Sequence, residues 1–161
     1  MSATPRWLEI ARSYEGVREV PGARHNSTIL GWLKRLKAWW ADDETPWCGL
    51  FVAECMKQAG FDLPKTWMRA SSWSLWGANL RSSHVAPGAI LVFTRKGGGH
   101  VGFYVGESAL FYYVLGGNQN NMVNVAKIAK ARCTAIRWPK GEPVIGGPVH
   151  MKGGMVSTSE A

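Results

Sequence analysis

Cysteine is scarce in this sequence, and the three residues present are not spaced as a disulfide framework requires. An odd number of thiols in a chain of 161 residues, at Cys48, Cys55 and Cys133, favours reduced cysteines in a cytosolic protein. The first ten residues lack a cationic stretch followed by an apolar run, so we expect no secretory signal. A target outside the cytoplasm would then require a separate route of release.

Apolar runs long enough to cross a membrane are also missing, so we expect no stable membrane insertion. Hydrophobic residues nevertheless make up 46% of the chain, and tryptophan occurs nine times, which excludes a disordered polypeptide. The length is typical of one domain with its own core. We place this domain at residues 1–139 and, because Gly, Pro and Ser dominate afterwards, expect a flexible tail at 140–161. A monomer is our default expectation.

Negative charge is in short supply. The chain has 19 Lys and Arg against 11 Asp and Glu, a net charge of +8, which favours a polyanion such as nucleic acid, anionic lipid or an anionic cell wall. The basic residues are scattered, apart from a cluster at Lys34, Arg35 and Lys37 that fits the solvated face of a helix. No nucleic-acid-binding motif is present, so we expect no nucleic acid partner. We interpret the charge as an aid in reaching a negatively charged substrate.

Metal-binding patterns are absent as well. The sequence offers neither paired Cys and His at zinc spacing nor a calcium loop, and the glycines at 97–99 lack the surroundings of a phosphate loop. We therefore predict no metal and no cofactor. The adjacent acids Asp42 and Asp43 fit a polar surface, or a grip on a substrate amine.

The order of the predicted elements indicates an α+β domain. Cap signals and helical periodicity predict helices at residues 4–14, 26–37 and 46–59, with a short helical segment at 71–77. Beyond Pro87-Gly88 the pattern predicts about five strands, at residues 89–93, 100–105, 110–115, 123–128 and 133–138. We expect these strands to form an antiparallel sheet packed on the third helix.

Cys48 lies where that third helix is predicted to begin. Thr45 is a good N-cap residue and Pro46 suits the first helical position, which puts Cys48 at about the third. Unsatisfied N–H groups and the positive end of the helix dipole stabilise a thiolate there and lower the thiol pKa. The alternative role for such a cysteine is that of a small buried apolar residue. Cys55 and Cys133 lie in apolar stretches and are predicted to be structural.

His100 is the candidate base for a nucleophilic Cys48. It opens a predicted strand after a glycine turn and shares a strand face with Gly102, beside which another chain or a ligand can approach closely. Asn118 and Gln119 follow the next strand, and an amide there could orient the imidazole. Asn118 is the preferred residue and Gln119 the second choice, while a simple polar turn is the alternative interpretation.

Taken together and in order, these motifs resemble the NlpC/P60 and CHAP superfamily of papain-like cysteine peptidases and amidases. More narrowly, the chain resembles a phage-associated group of small NlpC/P60-like proteins. The resemblance runs from about residue 7 to residue 139 and is carried by residues 10–12, 16–22, 42–48, 72–73, 76–77, 87–88, 99–106 and 115–119.

The resemblance implies a papain-like core with Cys48 as nucleophile, His100 as general base and then acid, and Asn118 as third member. It also implies that the substrate is bacterial peptidoglycan, cleaved at an amide bond of its stem peptide. Two positions depart from the family pattern, because CHAP members often carry Glu where this chain has Gly116, and the usual Pro-Gly-Asp ends here in Ala89. Candidates for substrate contacts are Asp43, Trp47, Ser72 and Gln119.

We therefore expect an endolysin-type enzyme that stays in the host bacterial cytoplasm until a holin-type pore releases it to the cell wall. A secreted or tail-associated wall amidase or toxin is one alternative, and a non-catalytic binding module on a papain-like scaffold is another. The sequence leaves open whether the enzyme is an amidase or an endopeptidase.

Overall fold

The structure, a computed structural model, describes residues 4–19, 26–38, 47–95 and 98–151. Helices come first along the chain and an antiparallel sheet follows, so the predicted α+β fold is confirmed. The α-helices are α1 (Arg6–Ser13), α2 (Ser27–Arg35) and α3 (Cys48–Gln58). Among the described residues, short 3-10 helices also lie at Ala70–Leu75, Ser82–His84 and Lys130–Arg132.

The start of α2 is fixed by its cap. The side-chain oxygen of Asn26 accepts hydrogen bonds from the N–H groups of Thr28 and Ile29, at 2.8 and 3.1 Å. These bonds satisfy two donors that the first turn of a helix leaves without an intrahelical acceptor. Asn26 is therefore the N-cap residue of α2.

Helix α3 begins at Cys48, with Trp47 as the residue before it. The prediction that Cys48 occupies about the third helical position is therefore wrong by two positions. Thr45 and Pro46, on which it was based, lie outside the described residues. The correction places Cys48 in the first turn of the helix. The expected electrostatic effect of a helix N-terminus on this thiol is unchanged.

The sheet contains six strands in the spatial order β1-β6-β2-β3-β4-β5. Their bounds are Ala78–Asn79 for β1, Ile90–Arg95 for β2, Gly98–Glu107 for β3, Phe111–Gln119 for β4, Met122–Ala129 for β5 and Cys133–Trp138 for β6. Five of them correspond to predicted strands. The sequence missed β1 because two exposed residues paired with the end of β6 are too short to show alternation.

Strands β4 and β5 form a hairpin whose turn is Asn120-Asn121. Both residues have positive φ angles, 54° and 62°, and the turn joins the paired residues Gln119 and Met122. Two successive left-handed residues are typical of a type I′ turn, in which asparagine is well tolerated. This turn makes Gln119 the last residue of β4.

A bulge precedes that turn. Gly116 pairs with Asn124 and Gln119 pairs with Met122. Between these two pairs β4 advances by three residues and β5 by only two. The extra segment contains Asn118, whose φ of 58° is also left-handed. Bulges of this kind bend a strand and redirect its side chains. The end of β4 therefore does not follow the simple alternation that its sequence predicts.

Helix α3 packs on the sheet through its first turns. All residues from Cys48 to Met56 are buried, and the ring of Phe51 lies 6.0 Å from that of Phe103 on β3. A Cβ added at Gly117 on β4 would lie only 2.6 Å from the Cβ of Phe51. Glycine at 117 thus allows the end of β4 to reach the N-terminal part of α3.

The segment after β6 differs from the expected flexible tail. The N–H of Glu107 donates to the carbonyl of Val149, and the N–H of Met151 donates to the carbonyl of Glu107, both at 2.7 Å. His150 forms a parallel bridge with Glu107. Residues 149–151 therefore pair with the end of β3, and the prediction of a loose tail is wrong for them, because composition does not reveal an unpaired strand edge.

Candidate active site

Cys48 lies at the N-terminus of α3 with 7% of its surface exposed. The N–H groups of the first turn point out of the helix at this end, and the helix dipole places partial positive charge there. Both effects favour a thiolate over a thiol. The position therefore combines the two properties of a cysteine nucleophile, contact with solvent and stabilisation of negative charge.

The other two cysteines lie in environments that suppress reactivity. Cys55 is completely buried in α3, and burial, with the nearby Glu54 carboxylate, raises the pKa of its thiol well above the usual value. Burial also raises the pKa of Cys133 to about 11. Both agree with the prediction that these residues are structural.

His100 lies near the start of β3 and is 2% exposed. Its ring is 6.4 Å from that of Phe93, the residue opposite it on β2. Its Nε2 lies 2.9 Å from Oε1 of Gln119, in a hydrogen bond buried from solvent. An imidazole held in this way has a defined orientation, which a general base requires.

The residue that orients His100 is Gln119, the second choice of the sequence analysis, and the preference for Asn118 is corrected. The physical reason is the bulge, because Asn118 adopts the left-handed conformation there and Gln119 closes the strand. The side chain of Gln119 is fully buried and reaches the imidazole. The Asn120-Asn121 pair was the signal in the sequence that could have located the strand end and favoured Gln119.

Two successive glycines bring the imidazole and the start of α3 together. A Cβ at Gly116 would lie 3.4 Å from Nε2 of His100, and one at Gly117 would lie 2.9 Å from the ring of Trp47. The dipeptide thus lies close to His100 and to the residue immediately before Cys48, with little room for a side chain. The predicted close approach of another backbone to Gly102 on β3 is present, since a Cβ there would lie 3.2 Å from the carbonyl oxygen of Leu115.

Two of the four candidates for substrate contacts, Trp47 and Gln119, are fully buried in the structure. Trp47 is fully buried and its Nε1 donates to Glu19 at 3.1 Å, so it is a core residue. Gln119 is fully buried as well and contacts His100 instead. Ser72 is partly exposed on the 3-10 helix Ala70–Leu75, where its hydroxyl bonds to that of Thr66. Asp43 lies outside the described residues.

A cavity of about 300 Å³ adjoins the His100 segment. Two of its lining residues, Gly98 and Gly99, directly precede His100 on β3. The rest of the wall combines hydroxyl groups with apolar surface and consists of Ser71, Ser74, Val92, Phe93, Thr94 and Thr134. A wall of this composition suits an uncharged polar segment such as part of a peptide or glycan.

Within the described ranges, no three His, Cys, Asp or Glu side chains lie together in a group that could hold a metal ion. No helix among these residues has the length and apolar character needed to span a membrane.

Comparison with known families agrees with this geometry. Residues 40–118 of the chain match the CHAP domain family, which confirms the resemblance to the NlpC/P60 and CHAP superfamily. CHAP domains are cysteine- and histidine-dependent amidohydrolases or peptidases that act on peptidoglycan. The match contains Cys48 and His100 and ends one residue before Gln119. No curated protein matches the chain.

Proposed function

We propose that this protein is an endolysin-type peptidoglycan hydrolase that cleaves an amide bond of the stem peptide by a thiol mechanism. Cys48 is the nucleophile, His100 is the general base and then the general acid, and Gln119 orients the imidazole. The observation that carries the proposal is the buried hydrogen bond between His100 and Gln119. The Gly116-Gly117 dipeptide of the same strand lies close both to His100 and to Trp47, the residue before Cys48. An ordinary core histidine does not require this arrangement.

The first half of the reaction uses the thiolate of Cys48. His100 takes the thiol proton, and the sulfur attacks the carbonyl carbon of the scissile amide. In this scheme, backbone N–H groups at the start of α3, that of Cys48 among them, donate hydrogen bonds to the resulting oxyanion. His100 then gives its proton to the leaving amine, which departs and leaves a thioester on Cys48.

The second half of the reaction releases the acyl group. His100, now neutral, takes a proton from water, and the hydroxide attacks the thioester carbonyl. The thiolate leaves, and the carboxylic acid product is released. Gln119 accepts the Nε2 hydrogen throughout, so that Nδ1 is the nitrogen that exchanges protons in both halves.

The charge of the chain supports a wall substrate. A net charge of +8 attracts the protein to the anionic surface of a bacterial cell wall and increases the local rate of encounter. We propose that the enzyme acts after holin-type release from the host cytoplasm. A secreted or tail-associated wall amidase uses the same chemistry and differs in its delivery.

The test is the digestion of purified sacculi by the wild type and by Cys48→Ala, with Cys55→Ala as a matched control. We expect Cys48→Ala to lose at least about 10³-fold in rate, as expected when a nucleophile is removed, and Cys55→Ala to retain activity if it folds. Mass spectrometry of the new termini distinguishes cleavage at the lactyl–alanine bond from cleavage within the peptide. Turnover by Cys48→Ala would refute the mechanism, and binding without turnover by the wild type would favour the non-catalytic module.

A further inference from the structure

The amide of Gln119 is surrounded so that only one of its two orientations is satisfied. Its Nε2 donates to the carbonyl oxygen of Val114 at 3.1 Å and to the carbonyl oxygen of Asn124 at 2.7 Å. The side-chain oxygen of Asn124 is a third acceptor, at 3.0 Å. If the amide were reversed, its oxygen would face three other oxygens with no hydrogen between them. The amide oxygen therefore faces His100.

This orientation decides which nitrogen of His100 holds the proton. Oε1 of Gln119 can only accept a hydrogen bond, so Nε2 of His100 must donate one across the 2.9 Å contact. The neutral imidazole is then the Nε2–H tautomer, with its lone pair on Nδ1. Only this tautomer can take the thiol proton of Cys48 through Nδ1.

We propose that the acceptors around the amide of Gln119 fix the tautomer of His100. They are the carbonyl oxygens of Val114 and Asn124, which can take both amide hydrogens, and the side-chain oxygen of Asn124. The inference rests on the proposed function, because it assigns Asn124 a part in the same site. Asn124 touches neither the imidazole nor the substrate in this scheme and acts only through Gln119. The carbonyl of Val114 assists it from the other side of the amide.

The strand register explains why Asn124 lies close enough to accept a hydrogen bond from the amide of Gln119. Asn124 lies opposite Gly116, and a Cβ at Gly116 would lie 2.7 Å from Oε1 of Gln119. The missing side chain leaves the space into which Gln119 folds back from the strand end. The bulge at Asn118 supplies the bend that turns Gln119 toward this space.

The same surroundings exclude a carboxylate at position 119. A carboxylate is a common partner of a catalytic histidine, and Gln119→Glu would keep an oxygen facing Nε2. Its second oxygen, however, would face the three acceptors that now receive the amide hydrogens, and like partial charges repel at these distances. Gln119→Glu is therefore not a conservative change in this site.

The experiment measures the tautomer and the kinetics separately. Imidazole ¹⁵N NMR, with the signals of His100 assigned from His100→Gln, reports which nitrogen is protonated whether or not the protein is active. Hydrolysis of soluble peptidoglycan fragments gives kcat and KM. The variants are Asn124→Ala, Asn124→Asp, which keeps an acceptor oxygen, Gln119→Glu and Gln119→Ala. Asn79→Ala, in the exposed strand β1, is the matched control.

We expect the wild type and Asn79→Ala to show the Nε2–H tautomer alone. Asn124→Ala keeps both carbonyl acceptors and should keep the Nε2–H tautomer. Its kcat should fall by no more than about fivefold, which corresponds to the loss of about 1 kcal/mol from one hydrogen bond, with KM unchanged, and Asn124→Asp should behave like the wild type. Gln119→Ala, which removes the amide, should show a mixture of tautomers. Gln119→Glu should lower kcat at least as much as Gln119→Ala.

A mixture of tautomers in Asn124→Ala would overturn the inference, and so would the Nε2–H tautomer alone in Gln119→Ala or wild-type activity in Gln119→Glu. If Asn124→Ala does not fold, the comparison of kcat between Gln119→Glu and Gln119→Ala tests the inference. The proposed function can fail separately. A wild type that shows the expected tautomer but cleaves no peptidoglycan would refute that function and would not contradict the tautomer assignment.

Discussion

At the residue scale, the three thiols of this chain differ only in their surroundings. Cys55 is enclosed in the core of α3, and Cys133 donates to the carbonyl of Ala135 at 3.4 Å on β6. Cys48 alone stands at a helix start and keeps a small exposed area. Burial penalises the charged form of the first two, while the helix terminus favours it in the third.

Alkylation should therefore be selective. At pH 7 we expect iodoacetamide to modify Cys48 first, because Cys133, with a pKa of about 11, is a thiolate in only about one molecule in 10⁴. The pKa of Cys133 is raised, so its thiolate fraction and its rate should rise about tenfold per pH unit until pH approaches that pKa. Peptide mapping by mass spectrometry gives the rates, with Cys48→Ser as control. Faster modification of Cys133 than of Cys48 at pH 7 would contradict the assignment.

At the element scale, the position of α3 decides the site, and its first turn is held by backbone contacts. A Cβ at Gly49 would lie 2.6 and 2.7 Å from the carbonyl oxygens of Trp67 and Met68. Backbone atoms in a packed loop cannot move aside as the end of a long side chain can. The helix start is thus fixed between the loop at residues 67–68 and the end of β4.

Gly49→Ala should therefore destabilise the fold by about 1–3 kcal/mol through overpacking. Gly31→Ala in α2 is the matched comparison, because its nearest neighbour is the flexible guanidinium of Arg35 at 3.5 Å. There we expect a gain of about 0.5–1 kcal/mol, since alanine loses less backbone entropy than glycine in a helix. Urea unfolding followed by circular dichroism measures both. Equal effects of the two substitutions would show that the contact at Gly49 relaxes freely.

At the scale of the whole molecule, residues 149–151 of the C-terminal segment pair with Glu107 at the end of β3. Besides the backbone bonds that Val149 and Met151 each form with Glu107, Val149 donates its N–H to the hydroxyl of Tyr104 at 2.9 Å. That hydroxyl donates in turn to the carboxylate of Glu107 at 2.6 Å, which pairs with Lys130 at 2.6 Å. Met151 packs against Gly106, where a Cβ would lie 2.3 Å from its sulfur. The segment thus covers the end of β3 opposite the His100 end.

Removal of residues after Pro148 should lower the free energy of unfolding by about 2–4 kcal/mol, because three hydrogen bonds are lost and the strand end is exposed. Truncation after Met151 keeps these bonds and is the control. Thermal and urea unfolding measure the difference. Hydrolysis by the shorter protein, assayed well below its melting temperature, should persist because His100 and Gln119 are not touched. Equal stability of the two truncated proteins would contradict a structural role for residues 149–151.

The sequence by itself determined the class of fold, five of the six strands and the two residues, Cys48 and His100, on which the proposed chemistry depends. These follow from local signals, because helical and alternating periodicity and the cap at Asn26 are all encoded within a few residues. The family match over residues 40–118 covers the same two residues.

Only the tertiary structure decided the rest. In the structure Gln119, and not Asn118, bonds to the imidazole, because a bulge and a two-residue turn interrupt the alternation of side chains along β4. The tertiary structure made Trp47 a core residue, and it paired residues 149–151 with β3. Each of these outcomes depends on which groups meet across long separations in the chain. Contacts of this kind are chosen by the packing of the whole domain and leave no periodic trace in the sequence.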